Sequence, residues 1–249
     1  VILSTEEGTL SMKYDEKFLY FYAEGFDPET DTLCIPLDIT PKTGSTFCKN
    51  YGLSFDRACD FVIAIDGRDN SRVVVQERYE VLKAIYWESY YVLDPYINHP
   101  ERDSPVFVNI DLAMKLGDIV PNLNLNEPTG ETYETGKLRH GNANPKSPDF
   151  DSLADFMFTG SGVEIRIPWQ LLNFSNPSQM MIHDDYYEHY GIENLHIDEL
   201  YAGAAVNSGT GERIRLASFP LEGWGRNVTY HERLKESYYI LQAYWTGLD

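Results

Sequence analysis

The sequence predicts an all-β protein, an antiparallel β-sandwich of jelly-roll-like type with a long loop-rich insertion and few short helices. Three observations carry that prediction. Val163, Ile165 and Ile167 alternate with Glu164 and Arg166, the period-two signature of a strand with one dry and one wet face, and Pro168 ends it. Asp66-Gly67-Arg68-Asp69-Asn70-Ser71 separates Phe61 to Ile65 from Arg72 to Gln76 with the residues that hairpin turns select. Strand candidates occur at both ends of the chain with no alternating helices between, which argues for antiparallel sheets over a parallel α/β fold.

Taken in order, Phe18 to Ala23 is aromatic on both faces and reads as a strand covered from two sides, ended by Gly25-Phe26-Asp27-Pro28. Leu33 to Ile39 follows, and Pro36 within it suits an edge strand or a bulge, because proline cannot donate to a ladder. Beyond the hairpin, prolines and glycines crowd the stretch from Glu88 to Asp155, including Asp94-Pro95, His99-Pro100, Ser104-Pro105, Glu127-Pro128, Asn144-Pro145 and Ser147-Pro148. A connection of that length reads as an insertion over about residues 88–155 of one decorated domain spanning 1–249. After the strand Val163 to Ile167, Trp169 with Leu171, Leu172 and Phe174 supplies an apolar turn that folds back to seal a core. Leu195 to Val206, Ile214 to Ser218 and Tyr238 to Trp245 are the remaining strand candidates.

The strand-Pro-Trp-Leu-Leu pattern of residues 163–174 resembles the closing strand of sandwiches related to family 9 carbohydrate-binding modules and DOMON-type ligand-binding domains. Ile182-His183-Asp184-Asp185-Tyr186-Tyr187-Glu188-His189-Tyr190-Gly191, with Ile35-Pro36-Leu37-Asp38-Ile39-Thr40-Pro41-Lys42-Thr43-Gly44-Ser45, looks like the carboxy-terminal portion of uncharacterised bacterial proteins associated with the cell envelope or polysaccharide. The first resemblance implies a sandwich that binds sugar, haem or no known ligand and is appended to a larger secreted or envelope protein. The second spans most of the chain and implies a bacterial, extracellular or cell-surface setting.

Composition narrows the partners. A hydrophobic content of 43% and an aromatic content of 14% describe a globular chain. No apolar run approaches the length that spans a bilayer, and the start, Val1-Ile2-Leu3-Ser4-Thr5, has neither a basic leader nor an initiator methionine, so the chain reads as a soluble piece of a longer parent. A net charge of −19 repels a phosphate backbone and argues against nucleic acid. Cys34, Cys48 and Cys59 match no zinc or CxxC spacing. Cys34 and Cys59 lie in apolar runs that suit buried thiols, and one disulfide with one free thiol stays open.

Catalytic motifs are absent: the chain has no HExxH, no GxSxG and no GxGxxG after a strand. Residues 130–137 miss a phosphate loop, with five residues between Gly130 and Gly136 and Leu138 in place of the Ser or Thr that holds magnesium. Asp66, Asp69 and Asn70 have the oxygen density that calcium prefers, and equally that of an ordinary hairpin turn. His183, Asp184, Asp185, Glu188 and His189 form the strongest polar constellation, able to hold zinc or calcium. Their spacing is not the i,i+4 pair of a helical zinc site, and the same segment reads as a loop docked by its aromatic residues.

Eighteen tyrosines are many for this length, and aromatic rings stack on pyranose faces while carboxylates bond their hydroxyls. Trp87, Tyr90, Tyr91 and Tyr96 form the densest aromatic run outside a clear strand, and Trp224, flanked by Gly223 and Gly225, is a second candidate platform. Taken singly, Trp87 and Trp224 read first as caps on the ends of the core. The expectation is a non-catalytic accessory domain that recognises carbohydrate at a bacterial surface, with a neutral or basic glycan favoured by the acidic charge. A glycosidase using two carboxylates and a structural or protein-interaction module are the alternatives.

Overall fold

The computed structural model describes residues 1–4, 8–28, 30–81, 99–115, 131–189, 191, 193–207, 213–225 and 236–247. One antiparallel sheet contains β1 (Leu3–Ser4), β2 (Thr9–Tyr14), β3 (Phe18–Glu24), β12 (Phe156–Phe158) and β13 (Gly162–Pro168), in the order β1-β2-β3-β13-β12. The second contains β4 (Thr32–Asp38), β7 (Phe61–Asp66), β8 (Arg72–Gln76), β9 (Phe107–Asn109), β17 (Glu199–Ala202) and β20 (Ala217–Pro220), in the order β20-β17-β4-β7-β8-β9. β18 (Ala205–Val206) also pairs with β4. The chain is therefore all-β and sandwich-like, as its strand patterning predicts.

Alternation aims each strand. Leu10, Leu19, Phe21, Ala23, Val163, Ile165 and Ile167 leave the first sheet inward and meet Leu33, Ile35, Leu37, Phe61, Ile63, Ile65, Val73 and Val75 of the second in one buried core. Glu164 is exposed and Arg166 half-buried on the opposite face, so the dry and wet positions of β13 fall where period two puts them. Gly162 permits this close pairing: a Cβ there would lie 2.0 Å from the Ala23 carbonyl oxygen. After Pro168, the 3₁₀ turn Trp169–Leu172 returns the chain to the core. Trp169 is fully buried there, its Nε1 donating to the Asp15 carbonyl at 2.9 Å and its ring meeting Phe174 edge-on at 4.7 Å.

The other face of the second sheet is also dry. β5 (Ser45–Cys48), β6 (Leu53–Cys59) and β19 (Arg213–Ile214) form a small third layer whose Cys48, Leu53, Phe55 and Cys59 pack on Cys34, Val62, Ala64, Val74 and Phe107. All three cysteines are buried free thiols at the contact between that layer and the second sheet. Being covered from two sides makes Phe61 to Ile65 a continuous buried run. Phe18 to Ala23 differs from its expectation: Leu19, Phe21 and Ala23 are buried, whereas Phe18, Tyr20 and Tyr22 line the outer face half-buried.

Two further expectations change. Pro36 lies in an interior strand, β4, which pairs with β7 on one side and with β17 and β18 on the other. The Gly203 N–H donates to the Pro36 carbonyl at 3.1 Å, so the edge without an N–H faces the gap between β17 and β18, and the ladder breaks where proline has nothing to give. Tyr238 to Trp245 is helical, within the helix Glu236–Thr246. Its consecutive apolar residues never alternate, and Leu241, Tyr244 and Trp245 recur at helical spacing on an exposed side. Leu195 to Val206 divides into β16 (Asn194–His196), β17 and β18, and Ile214 to Ser218 into β19 and β20.

β14 (Phe174–Asn176), β15 (Met181–His183) and β16 form a three-stranded end sheet, and β10 (Asp111–Lys115) pairs with β11 (Glu131–Glu134). Within residues 88–155, the described portion contributes β9 to the second sheet and the β10–β11 pair.

Candidate functional site

Among the described residues, the wet face of the first sheet is partly exposed, and Lys13 and Glu164 are exposed. Across its strands two rows of side chains are set by register: Lys13 of β2, Tyr20 of β3 and Arg166 of β13 in one, Ser11, Tyr22, Glu164 and Met157 in the next. Residues 141–144, carrying Asn142 and Asn144, rise beside them to make a groove of about 720 Å³. Asp155, just before β12, faces the same groove.

The floor is held in place by local contacts. The Tyr20 hydroxyl donates to Asp15 Oδ2 at 2.7 Å, and the Tyr22 hydroxyl donates to Glu24 Oε1 at 2.8 Å. Burial, then the hydrogen bond to Asp15, pushes the Tyr20 phenol up to about 12. Lys13 Nζ sits 5.2 Å from the Tyr20 ring centre, and the Arg166 guanidinium lies 4.8 Å from that of Phe18. Arg166 is fixed further by donating from Nε to the Ala154 carbonyl at 2.7 Å and from Nη2 to the Ser152 carbonyl at 2.8 Å. Burial raises the carboxyl of Asp155, opposed by the Arg139 N–H that its Oδ2 accepts. This face combines rings with fixed donors and acceptors, which suits a hydroxyl-rich, partly apolar ligand.

The constellation at residues 183–189 is divided among several partners. Asp184, Glu188 and His189 place ligand-type atoms within 4.8 Å of one another. Lys42 Nζ lies 2.8 Å from both Asp184 Oδ2 and Glu188 Oε2, so an ammonium group already bridges the two carboxylates; its hydrogen bond is the leading cause of the lowered Glu188 carboxyl, and Arg102 Nη2 adds a second cation 3.2 Å from Glu188 Oε1. Asp185 is turned away: its Oδ2 takes Nε and Nη2 of buried Arg78, each at 2.9 Å, and its Oδ1 accepts the Tyr187 N–H at 3.1 Å, capping the short helix Tyr186–His189. The His183 side chain faces a cavity of about 570 Å³ lined by Phe61, Tyr79 and Phe174, where its Nδ1 has no partner among the described residues and burial lowers its pKa. The five residues thus serve three separate environments.

Trp224 is 38% exposed beyond the sandwich end, its ring 6.0 Å from that of Trp169 and 6.5 Å from that of Tyr14. Its flanking glycines allow close approach to Ser178: a Cβ on Gly223 would lie 2.6 Å from the Ser178 carbonyl oxygen. Trp87, Tyr90, Tyr91 and Tyr96 fall outside the described residues. Asp66 to Ser71 forms the hairpin turn, with Gly67 at φ +61° and Ser71 Oγ donating to the Gly67 carbonyl at 2.7 Å.

Sequence reading did not assemble the groove. Its signal was present in β3, where Tyr20 and Tyr22 occupy wet positions that an ordinary exposed strand face fills with charge. Comparison with protein-family models, with curated proteins and with solved structures finds no match.

Proposed function

We propose that this chain is a non-catalytic carbohydrate-binding domain of a larger bacterial surface protein, and that it binds glycan on the outer face of the first sheet. The observation that carries the reading is the pairing of Tyr20 and Tyr22 on β3 with Lys13, Glu164 and Arg166 on the flanking strands. The rings offer stacking surfaces, and the charged and amide groups around them can bond hydroxyls. A rigid sheet presents these groups already ordered, which lowers the entropy lost on binding. The resemblance to carbohydrate-binding sandwiches points the same way. A glycan-array screen of the purified chain, repeated with Tyr20→Ala and Tyr22→Ala, tests the proposal. Retention of a glycan by the native chain and its loss in both variants is expected; equal retention by the variants would place the site elsewhere.

A second reading, a glycosidase, is favoured by one observation: Asp155 and Glu164 face the same groove, and burial raises the former. A raised carboxyl is suited to donate a proton while an exposed carboxylate activates water. Release of reducing sugar from a polysaccharide panel, abolished by Glu164→Gln, would establish this reading over simple binding.

A further inference from the structure

We infer that the groove is built for an acidic glycan, one whose sugar rings carry carboxylates, with Lys13 and Arg166 as the groups that read that charge. The inference rests on the glycan-binding reading of the groove and names the substrate class.

Lys13, Tyr20 and Arg166 are register partners on three adjacent strands, so the two cations bracket one aromatic ring. Strands lie about 4.8 Å apart, which puts the backbones of Lys13 and Arg166 about 10 Å from each other across the ring. A sugar that draws the Lys13 ammonium off the Tyr20 face would stack there and present an equatorial carboxylate toward one cation or the other. Neither cation has a carboxylate within ion-pair distance among the described residues. Lys42, Arg57, Arg72, Arg78, Arg102 and Arg139 are paired, whereas Lys13 and Arg166 belong with Lys17, Lys49, Arg68, Lys137, Lys146, Arg213 and Arg215 among the described cations that are not. What distinguishes Lys13 and Arg166 is placement: two cations without an ion pair share one floor on either side of an aromatic ring, Arg166 meeting the charges of Asp155 and Asp151 only at longer range.

The arrangement of Arg166 supports this. Its Nε and one Nη2 hydrogen are spent on the Ala154 and Ser152 carbonyls, which fixes the guanidinium and leaves Nη1 for a ligand. The anions facing the groove are Glu164 in the neighbouring row and Asp155 at its side, with Asp15 bound to the Tyr20 hydroxyl. They set a limit on where ligand charge can lie: the carboxylate must fall in the Lys13–Tyr20–Arg166 row, while hydroxyls face Glu164. This departs from the neutral or basic ligand that overall charge suggests, because ion pairing is decided within a few ångströms and net charge is screened over about 8 Å at physiological salt.

The test is titration calorimetry with hexamers of galacturonate, mannuronate and glucuronate, their methyl esters, and neutral gluco-, manno- and xylohexaose. The native chain should bind at least one hexauronate about tenfold more tightly than its ester, the scale of one hydrogen bond to a charged group. Raising salt should shrink that preference, and Lys13→Gln or Arg166→Gln should reduce the ratio of uronate to ester affinity to about twofold or less. Lys13 is exposed, so its variant should keep the native thermal midpoint and fold normally. Binding of neutral hexamers alone, abolished by Tyr20→Ala, would overturn the acidic-glycan inference and leave the groove reading standing. A preference for uronates untouched by Lys13→Gln and Arg166→Gln would overturn the assignment of the cations. Binding of no hexamer, or binding indifferent to Tyr20→Ala and Tyr22→Ala, would overturn both readings.

Discussion

Lys42 places its ammonium nitrogen 2.8 Å from Oδ2 of Asp184, at the point where sequence alone suggests a metal ion. Glu188 Oε2 is equally close, and His189 Nε2 lies 3.7 Å from Asp184 Oδ2. The side chain thereby fills the electrostatic role that a divalent cation would have there. Replacing it with the uncharged Lys42→Met should uncover two carboxylates and an imidazole, a donor set that zinc accepts. Calorimetry with Zn²⁺ should show uptake by the variant that exceeds the native chain by about tenfold or more in affinity. Equal uptake by both would mean that the ammonium does not occupy the position.

Asp185 and Arg78 make the buried counterpart, with the two side chains only 0% and 5% exposed. Removing one partner leaves an uncompensated charge, so Asp185→Ala should lower the unfolding free energy by about 3–5 kcal/mol. Arg78→Met combined with Asp185→Leu should recover much of the loss, because the desolvated charges leave together. Urea unfolding of Arg78→Met, Asp185→Leu and the pair decides it; strictly additive losses would contradict the coupling.

Asp60 is fully buried between the β4–β5 loop and the core, accepting N–H groups of Ile39 at 2.8 Å and Thr40 at 2.9 Å and the Thr43 hydroxyl at 3.2 Å. Burial first, and then the charge of Asp38, holds its carboxyl well above the usual range despite those bonds. A carboxyl raised on folding gives stability that is complete below its unfolded pKa and is lost as pH rises through the folded value. Asp60→Asn should therefore gain on the native chain as pH rises above about 4, the ordinary carboxyl value, since the amide keeps an acceptor and cannot ionise. Parallel stability curves for the two proteins would refute the assignment. Asp60→Ala should be destabilised at every pH, by about 1–3 kcal/mol for each stranded donor.

Cys34, Cys48 and Cys59 share the dry layer behind the second sheet, and burial pushes Cys34 up to about 12 and Cys48 up to about 11. A thiol that neither ionises nor meets solvent does not react. A thiol-specific reagent should label none of the three in the native chain and all three in denaturant. Rapid labelling of the native protein would show that the third layer opens.

The strand Val163 to Ile167 was legible because its two faces differ so sharply in polarity that only one orientation buries Val163, Ile165 and Ile167 together. The Asp66 to Ser71 hairpin was legible because its turn chemistry is local. The third layer was not: Phe61 to Ile65 announces cover on both faces, but nothing in it names β5 and β6 as the cover. Tyr238 to Trp245 misled because aromatic content raises strand propensity even where alternation is missing. The groove escaped for a related reason. Tyr20 and Tyr22 look like core residues until register places them in line with Lys13, Glu164 and Arg166, and register between distant strands is a tertiary fact. The 183–189 constellation was legible as a polar cluster, yet its partners Lys42 and Arg78 come from more than a hundred positions away.

Because β3 and β13 commit alternate residues to opposite faces, the side chains proposed to meet ligand and those that make the core belong to two separable alphabets written on the same strands. Substitutions at Tyr20, Tyr22, Glu164 or Arg166 rewrite the first without altering the packing of Phe21, Ile165 or Ile167. A library confined to those outward positions would therefore sample new ligand preferences on an unchanged scaffold.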